Sequence, residues 1–166
     1  MKYILGLGSN LGRRQQNLTQ ACRLLEEAGV KILKISSLYK TQPVGLKKQP
    51  WFYNQVIQVV TPLDPFTLLS LAKEIEIKLK RKKTVRYGPR TLDIDLLMAG
   101  KMIIKSDKLT IPHPKMHERR FVLEPLNEIA PNLLHPIKRK KIKTLLKEIK
   151  DNSIVLKLEK TDKKVN

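Results

Sequence analysis

The sequence predicts an α+β sandwich, and three observations predict it. Segments of period-two apolar alternation are interleaved with segments whose apolar residues recur every three or four positions. They follow the order strand, helix, strand, strand, helix, strand. No internal repeat and no flexible linker interrupts that order, so residues 1–160 read as one domain with a frayed tail at 161–166.

Residues 2–8 read as the first strand, ending in Gly8-Ser9-Asn10-Leu11-Gly12. Leu18, Ala21, Cys22, Leu25 and Ala28 then recur at helical spacing, and Gly29 marks the helix end. Residues 30–39 are β-branched and aliphatic and read as a second strand. A long connection over 40–50 carries two prolines and a glycine, and residues 52–60 alternate as a third strand. Asp64 followed by Pro65 is a cap with proline at the first helical position, opening a helix whose Leu68, Ala72, Ile75 and Leu79 face the core. A basic stretch at 80–90 leads into a fourth strand that ends at the turn Ala99-Gly100. This succession is the split βαβ arrangement of ferredoxin-like folds, βαββαβ. A C-terminal extension follows, with a constrained Ile111-Pro112-His113-Pro114 loop and a helix over 121–129. Beyond it come a loop at 131–136, a helix over 142–149 and a strand at 154–158.

At 166 residues, 41% of them hydrophobic, the chain can bury a core without staples. Its one cysteine, Cys22, permits no internal disulfide and fits a reducing, cytoplasmic setting, where it reads as a core residue. No apolar run approaches the ~20 residues of a membrane span, so no membrane association is expected. A net charge of +19 points to an anionic partner without choosing among nucleotide, nucleic acid and acidic membrane.

The chemistry concentrates in the fourth strand, where Leu92, Ile94 and Leu96 alternate with Asp93 and Asp95. Alternate side chains of a strand point to opposite faces, so the apolar set turns inward. Both aspartates then project from the other face, Cα atoms ~7 Å apart. Two hard oxygen ligands so placed can hold one or two Mg²⁺ ions, which bind nucleotide phosphates. No P-loop string occurs, and Gly6, Gly8 and Gly12 lack dinucleotide spacing. A nucleotide would therefore be held by side chains and metal. Arg81, Lys83, Arg86 and Arg90 can supply counter-charge for a triphosphate, or form a solvated helix end and basic loop. His113, braced between prolines, is either structural or aimed at one phosphate oxygen. Phe52 and Phe121 are core residues unless both face one pocket, where they would clamp a flat heterocycle. Asn54, on the same strand face as Phe52, offers an amide to the edge of such a ring.

Together these segments resemble the 2-amino-4-hydroxy-6-hydroxymethyldihydropteridine pyrophosphokinase family (6-hydroxymethyl-7,8-dihydropterin pyrophosphokinase). The matching strings are Gly8-Ser9-Asn10-Leu11, Thr41-Gln42-Pro43, Gln49-Pro50 through Asn54, Arg86-Tyr87-Gly88-Pro89-Arg90-Thr91-Leu92-Asp93-Ile94-Asp95, Ile111-Pro112-His113-Pro114, and Arg119 with Phe121. They run in family order from Gly8 to about Pro131. The resemblance implies an enzyme of folate biosynthesis that moves pyrophosphate from ATP to the hydroxymethyl group of the pterin and releases AMP. It implies two Mg²⁺ ions on Asp93 and Asp95, with Arg81, Lys83 and Arg90 assisting the transfer. Arg90 and His113 would contact phosphates, Arg119 would lie near the reacting groups, and Glu76 near the nucleotide. The pterin would lie between Phe52 and Phe121, its edge read by Asn54, Thr41 and backbone near Gln42 and Val44. Where the family commonly has Gly-Arg-x-Arg, this chain has Lys80-Arg81-Lys82-Lys83; Tyr87 replaces a tryptophan, and Pro114 stands where some members have tyrosine.

Residues 40–50 and 80–88 are long and polar, as loops that close over substrates would be. ATP and the pterin are the expected partners of a monomer, with no nucleic acid. The rival reading, an RNA-recognition sheet, needs a Gly-Phe-x-Phe type run, which this chain lacks. A catalytically idle relative serving as an assembly partner is the third reading, and Lys83 is its only hint.

Overall fold

β1 (Lys2–Ser9) is the axis of the molecule. The computed structural model describes residues 1–79 and 88–159. Arg81, Lys83, Arg86 and Tyr87, most of the expected 80–88 closing loop, and the 161–166 tail lie outside the described residues. β4 (Phe52–Val60) pairs antiparallel with one edge of β1, and β5 (Asp93–Ala99) with the other. The far edge of β4 takes β2 (Lys31–Ile35) and then β3 (Tyr39–Thr41), and β8 (Val155–Lys157) pairs with β3. The result is an antiparallel six-stranded sheet.

Strand alternation gives each face of this sheet its own core. Tyr3, Leu5 and Leu7 of β1 pack with Leu92, Ile94 and Leu96 under α1 (Arg14–Glu27) and α2 (Pro65–Lys78). Ile4, Val56, Leu97 and Met98 turn the other way, against α3 (Arg120–Ile129) and α4 (Ile142–Glu148). Each such fully buried side chain contributes about 1.5–3 kcal/mol. Helix ends follow the local chemistry. Asp64 accepts from the Phe66 and Thr67 amides at 3.0 and 3.1 Å, capping α2 with Pro65 in its first turn. After α1, Gly29 takes φ +86°, the left-handed conformation that closes a helix and that a Cβ would strain.

Three expectations need correction. The strand expected over 30–39 is interrupted at Ser36, because its hydroxyl accepts from the Val56 amide at 2.9 Å in place of a backbone carbonyl. Residues 40–50 do not form one loop, since Lys40 and Thr41 belong to β3. Ala28 is exposed in the helix cap and not on its buried stripe. A small hairpin of β6 (Ile104–Lys105) and β7 (Thr110–Ile111) also appears, closed by two hydrogen bonds between the Ser106 hydroxyl and the Leu109 backbone. No described helix is long and apolar enough to cross a membrane.

Candidate active site

Two rows run across the sheet on the α3 side. Asn54, Gly8 and Asp93 are paired neighbours on β4, β1 and β5, and Val56, Gly6 and Asp95 form the row beside them. The glycines make the floor. A Cβ on Gly8 would lie 2.7 Å from Asn54 Oδ1, and one on Gly6 would lie 3.3 Å from Leu97 Cδ1. Above this floor opens a cavity of about 320 Å³.

One end of the cavity is a shaped slot. Phe52 and Phe121 both line it, from β4 and the first turn of α3. Asn54 donates from Nδ2 to the Thr41 hydroxyl at 2.6 Å, so Asn54 Oδ1 remains to accept and the Thr41 O–H to donate. Gln42 and Val44 stand beside them. The Gln42 backbone is less open than the sequence suggests: its N–H donates to the Ile154 carbonyl, and its side-chain oxygen accepts from the Ile154 amide.

The other end is strongly charged. Burial, then the charge of Asp93, push the Asp95 carboxyl up to about 7, against the pull of Arg119; Glu76 adds to the rise and Arg90 opposes it. Arg90 Nη1 meets Asp93 Oδ2 at 3.2 Å. Its place is set by Asn10, which accepts the Arg90 amide on Oδ1 at 2.8 Å and donates from Nδ2 to Gln49 Oε1 and the Pro50 carbonyl. His113 Nδ1 accepts from the Lys115 amide at 3.2 Å, which leaves the ring proton on Nε2. Burial first and Arg119 second hold that ring down to about 4, so it is a neutral donor at physiological pH. The Arg119 guanidinium lies 5.6 Å from the Phe121 ring centre.

The residues expected at the site therefore converge. Thr41, Gln42, Val44, Phe52, Asn54 and Phe121 line the slot, and Arg90, Asp93, Asp95, His113 and Arg119 line the remainder. Glu76 stands apart from these residues. It is buried behind the strand, accepts the Ile94 amide at 2.9 Å, and is not a wall of the cavity. Arg81 and Lys83 lie outside the described residues. Lys73 of α2 lines the cavity too, although helical spacing alone does not single it out. Asn10 went unrecognised as a hub because its partners lie 39 to 80 positions away.

Two crowded carboxylates on neighbouring register positions form a hard-oxygen pair that fits Mg²⁺. Among the described residues no cluster of three His, Cys, Asp or Glu side chains surrounds a metal position. Other ligands would come from substrate and water, the usual arrangement for Mg²⁺ with a nucleotide.

Comparison with known proteins identifies the family. The profile of the family described as 7,8-dihydro-6-hydroxymethylpterin-pyrophosphokinase (HPPK) matches residues 4–131. The chain belongs to this family. Among family relatives, the Bacillus subtilis (strain 168) 2-amino-4-hydroxy-6-hydroxymethyldihydropteridine pyrophosphokinase is 47% identical over 127 residues, 76% of each chain. The Aquifex aeolicus protein of the same name is 41% identical over 139 residues, 84% of this chain and 86% of that one. The mitochondrial folate synthesis bifunctional protein of Arabidopsis thaliana is 48% identical over 128 residues, 77% of this chain. This chain spans only 23% of that plant protein's length. The solved Plasmodium falciparum HPPK-DHPS wild type shares the fold, with a TM-score of 0.69 at 19% identity, covering 88% of this chain and 44% of that one.

Proposed function

We propose that this chain transfers the pyrophosphoryl group of ATP to the hydroxymethyl group of 6-hydroxymethyl-7,8-dihydropterin and releases AMP, a step of folate biosynthesis. One observation carries the reading: the row Asn54–Gly8–Asp93. It sets an amide suited to a heterocycle edge two strands, about 10 Å, from a carboxylate pair suited to a metal-bound triphosphate. Both lie in one cavity that also contains Phe52 and Phe121.

In this reading the pterin stacks between Phe52 and Phe121. Asn54 Oδ1 and the Thr41 hydroxyl match the donor and acceptor on its amide edge. Its hydroxymethyl oxygen forms a bond to the β-phosphorus of ATP and gives up its proton to water. The bond from that phosphorus to the bridging oxygen of the α-phosphate breaks, and AMP leaves. Asp93 and Asp95 would hold two Mg²⁺ ions, which when bound supply positive charge along the triphosphate and orient it. Arg90 and Arg119 neutralise phosphate oxygens, and neutral His113 donates one hydrogen bond from Nε2. Most of the rate then comes from positioning and preorganised charge. Arg81 and Lys83, outside the described residues, would assist the transfer in this reading.

The finer architecture belongs to the same proposal. The strand order β5-β1-β4-β3 supports a ferredoxin-like frame. The return of β8 to that sheet supports one pyrophosphokinase domain over 1–160. We read the protein as a cytoplasmic monomer that acts on small molecules.

The test follows ³¹P resonances of ATP with Mg²⁺, the hydroxymethyldihydropterin and the protein. AMP and a pterin diphosphate are expected. ADP would indicate an ordinary kinase, and an unchanged spectrum would overturn the reading.

A further inference from the structure

Glu128, near the end of α3, does not touch the cavity, yet both of its carboxylate oxygens are engaged by the opposite wall. The Ser37 amide donates to them at 3.1 and 3.0 Å, the Ser37 hydroxyl donates to Oε1 at 2.7 Å, and the Tyr39 hydroxyl to Oε2 at 2.7 Å. Lys157 of β8 stands 3.6 Å away. Burial pushes this carboxyl up, but the Ser37 and Tyr39 hydrogen bonds outweigh it and hold it below the usual range. The group is therefore an anion at any working pH. The place of these partners is the informative part. Tyr39 is the register neighbour of Asn54 and lies two residues from Thr41, on the same strand face. The helix that carries Glu128 begins at Arg120, beside Phe121, with the Arg120 amide donating to Asp151 at 2.9 Å. Phe121 and Glu128 are seven positions apart on this helix, about 10 Å along its axis.

We propose that Glu128 is a positioning residue for the slot between Phe52 and Phe121. It straps α3, which presents Phe121, to β3, which presents Thr41 and aligns Asn54. The proposal rests on the pyrophosphokinase reading and deepens it. A flat ring held between two phenyl groups needs walls fixed to ~0.5 Å, so the helix that carries Phe121 must be held firmly against the sheet that carries Phe52. The strap ties together the elements that carry Phe121 and Thr41, whereas Asp93 and Asp95 belong to β5, and only Arg119, at the start of α3, is shared with the charged end. Losing it therefore weakens pterin affinity selectively, where a general loss of stability would lower affinity for both substrates.

The experiment uses the full chain and measures three quantities. These are calorimetric binding of a non-hydrolysable ATP analogue with Mg²⁺, binding of the pterin to that complex, and steady-state KM and kcat. Glu128→Ala is expected to raise pterin Kd and KM tenfold or more while changing the analogue's Kd less than twofold. Glu128→Gln, which keeps one acceptor oxygen, should fall between wild type and Ala. Lys34→Met is the control, because Lys34 Nζ donates to the Ile129 carbonyl at the same helix end without touching the strap. It should leave pterin affinity unchanged at a comparable loss of melting temperature. If Glu128→Ala does not fold, Tyr39→Phe removes a single hydroxyl and should raise pterin Kd about threefold. Unchanged pterin affinity in Glu128→Gln and Tyr39→Phe overturns the strap, as does an equal loss in Lys34→Met. A wild type that neither binds the pterin nor forms AMP overturns the functional reading and the strap with it. A wild type that turns over beside unaffected variants overturns the strap alone.

Discussion

Replacing Asp95 with asparagine should stabilise the metal-free protein while abolishing its chemistry. Burial and the charge of Asp93 push the Asp95 carboxyl from 3.8 to about 7. Between those values the folded chain keeps a proton that the unfolded chain has already released. Stability is therefore full below pH 3.8 and is lost as pH rises through 7. At ~1.36 kcal/mol per pH unit the displacement opposes folding by about 4 kcal/mol above neutrality. An amide removes that charge at nearly constant volume. It gives back ~1–3 kcal/mol through hydrogen bonds its –NH₂ does not find. A net gain of about 2 kcal/mol, or roughly 4–8 °C in a chain of this size, is expected at pH 7.5. Calorimetric melting of both proteins without Mg²⁺ at pH 7.5 and 4.5 reads this directly, and AMP release reads the function. The melting advantage should shrink toward zero at the lower pH, and turnover should fall about 100-fold or more. An equal or larger advantage at pH 4.5, or retained turnover, would refute the reasoning.

Gly8→Ala places a methyl group 2.7 Å from Asn54 Oδ1, so Asn54 must turn from Thr41. Pterin KM should rise at least tenfold with ATP KM little changed, and an unaltered pterin KM would count against Asn54 as the edge reader. Asp64→Ala removes the two amide caps of α2 and the Thr67 hydroxyl partner, at a cost of ~1 kcal/mol. Melting should drop by about 2–4 °C with normal turnover. His135 accepts the Ile137 and Lys138 amides on Nδ1, and burial holds its ring down to about 4 from 6.5. As pH falls from 6.5 toward 4 the unfolded ring takes up a proton that the folded ring refuses, so stability drops. His135→Asn, whose Oδ1 can accept the same amides, should flatten that acid limb in a pH series of melting curves.

Local patterns were legible where one residue's neighbours decide the outcome. The Asp93/Asp95 alternation and the Asp64-Pro65 cap need only periodicity and one side chain, and both stand in the fold as read. Whether Phe52 and Phe121 share a pocket depends on how α3 packs across the sheet, which spacing does not encode. The break at Ser36 has the same character, because a serine hydroxyl competes with the backbone only once the Val56 amide is beside it. That Glu76 accepts the Ile94 amide depends on the packing of α2 on β5, which helical spacing does not encode. Gln42 reads as open in a loop, but Ile154, just before β8 and more than a hundred residues later, takes its N–H on the backbone carbonyl.

Cys22 has a practical consequence for anyone who wants to watch this protein move. It is the chain's only cysteine, it is buried in α1, and burial with the nearby Glu26 pushes its thiol up to about 11. At pH 7 only about one molecule in ten thousand carries the thiolate that maleimide dyes attack. A fluorophore attached through Val44→Cys, at a side chain now 41% exposed on the cavity rim, would thus label one place against a silent background. Its emission would test whether residues 42–51 close over the cavity, without first removing the native sulfur.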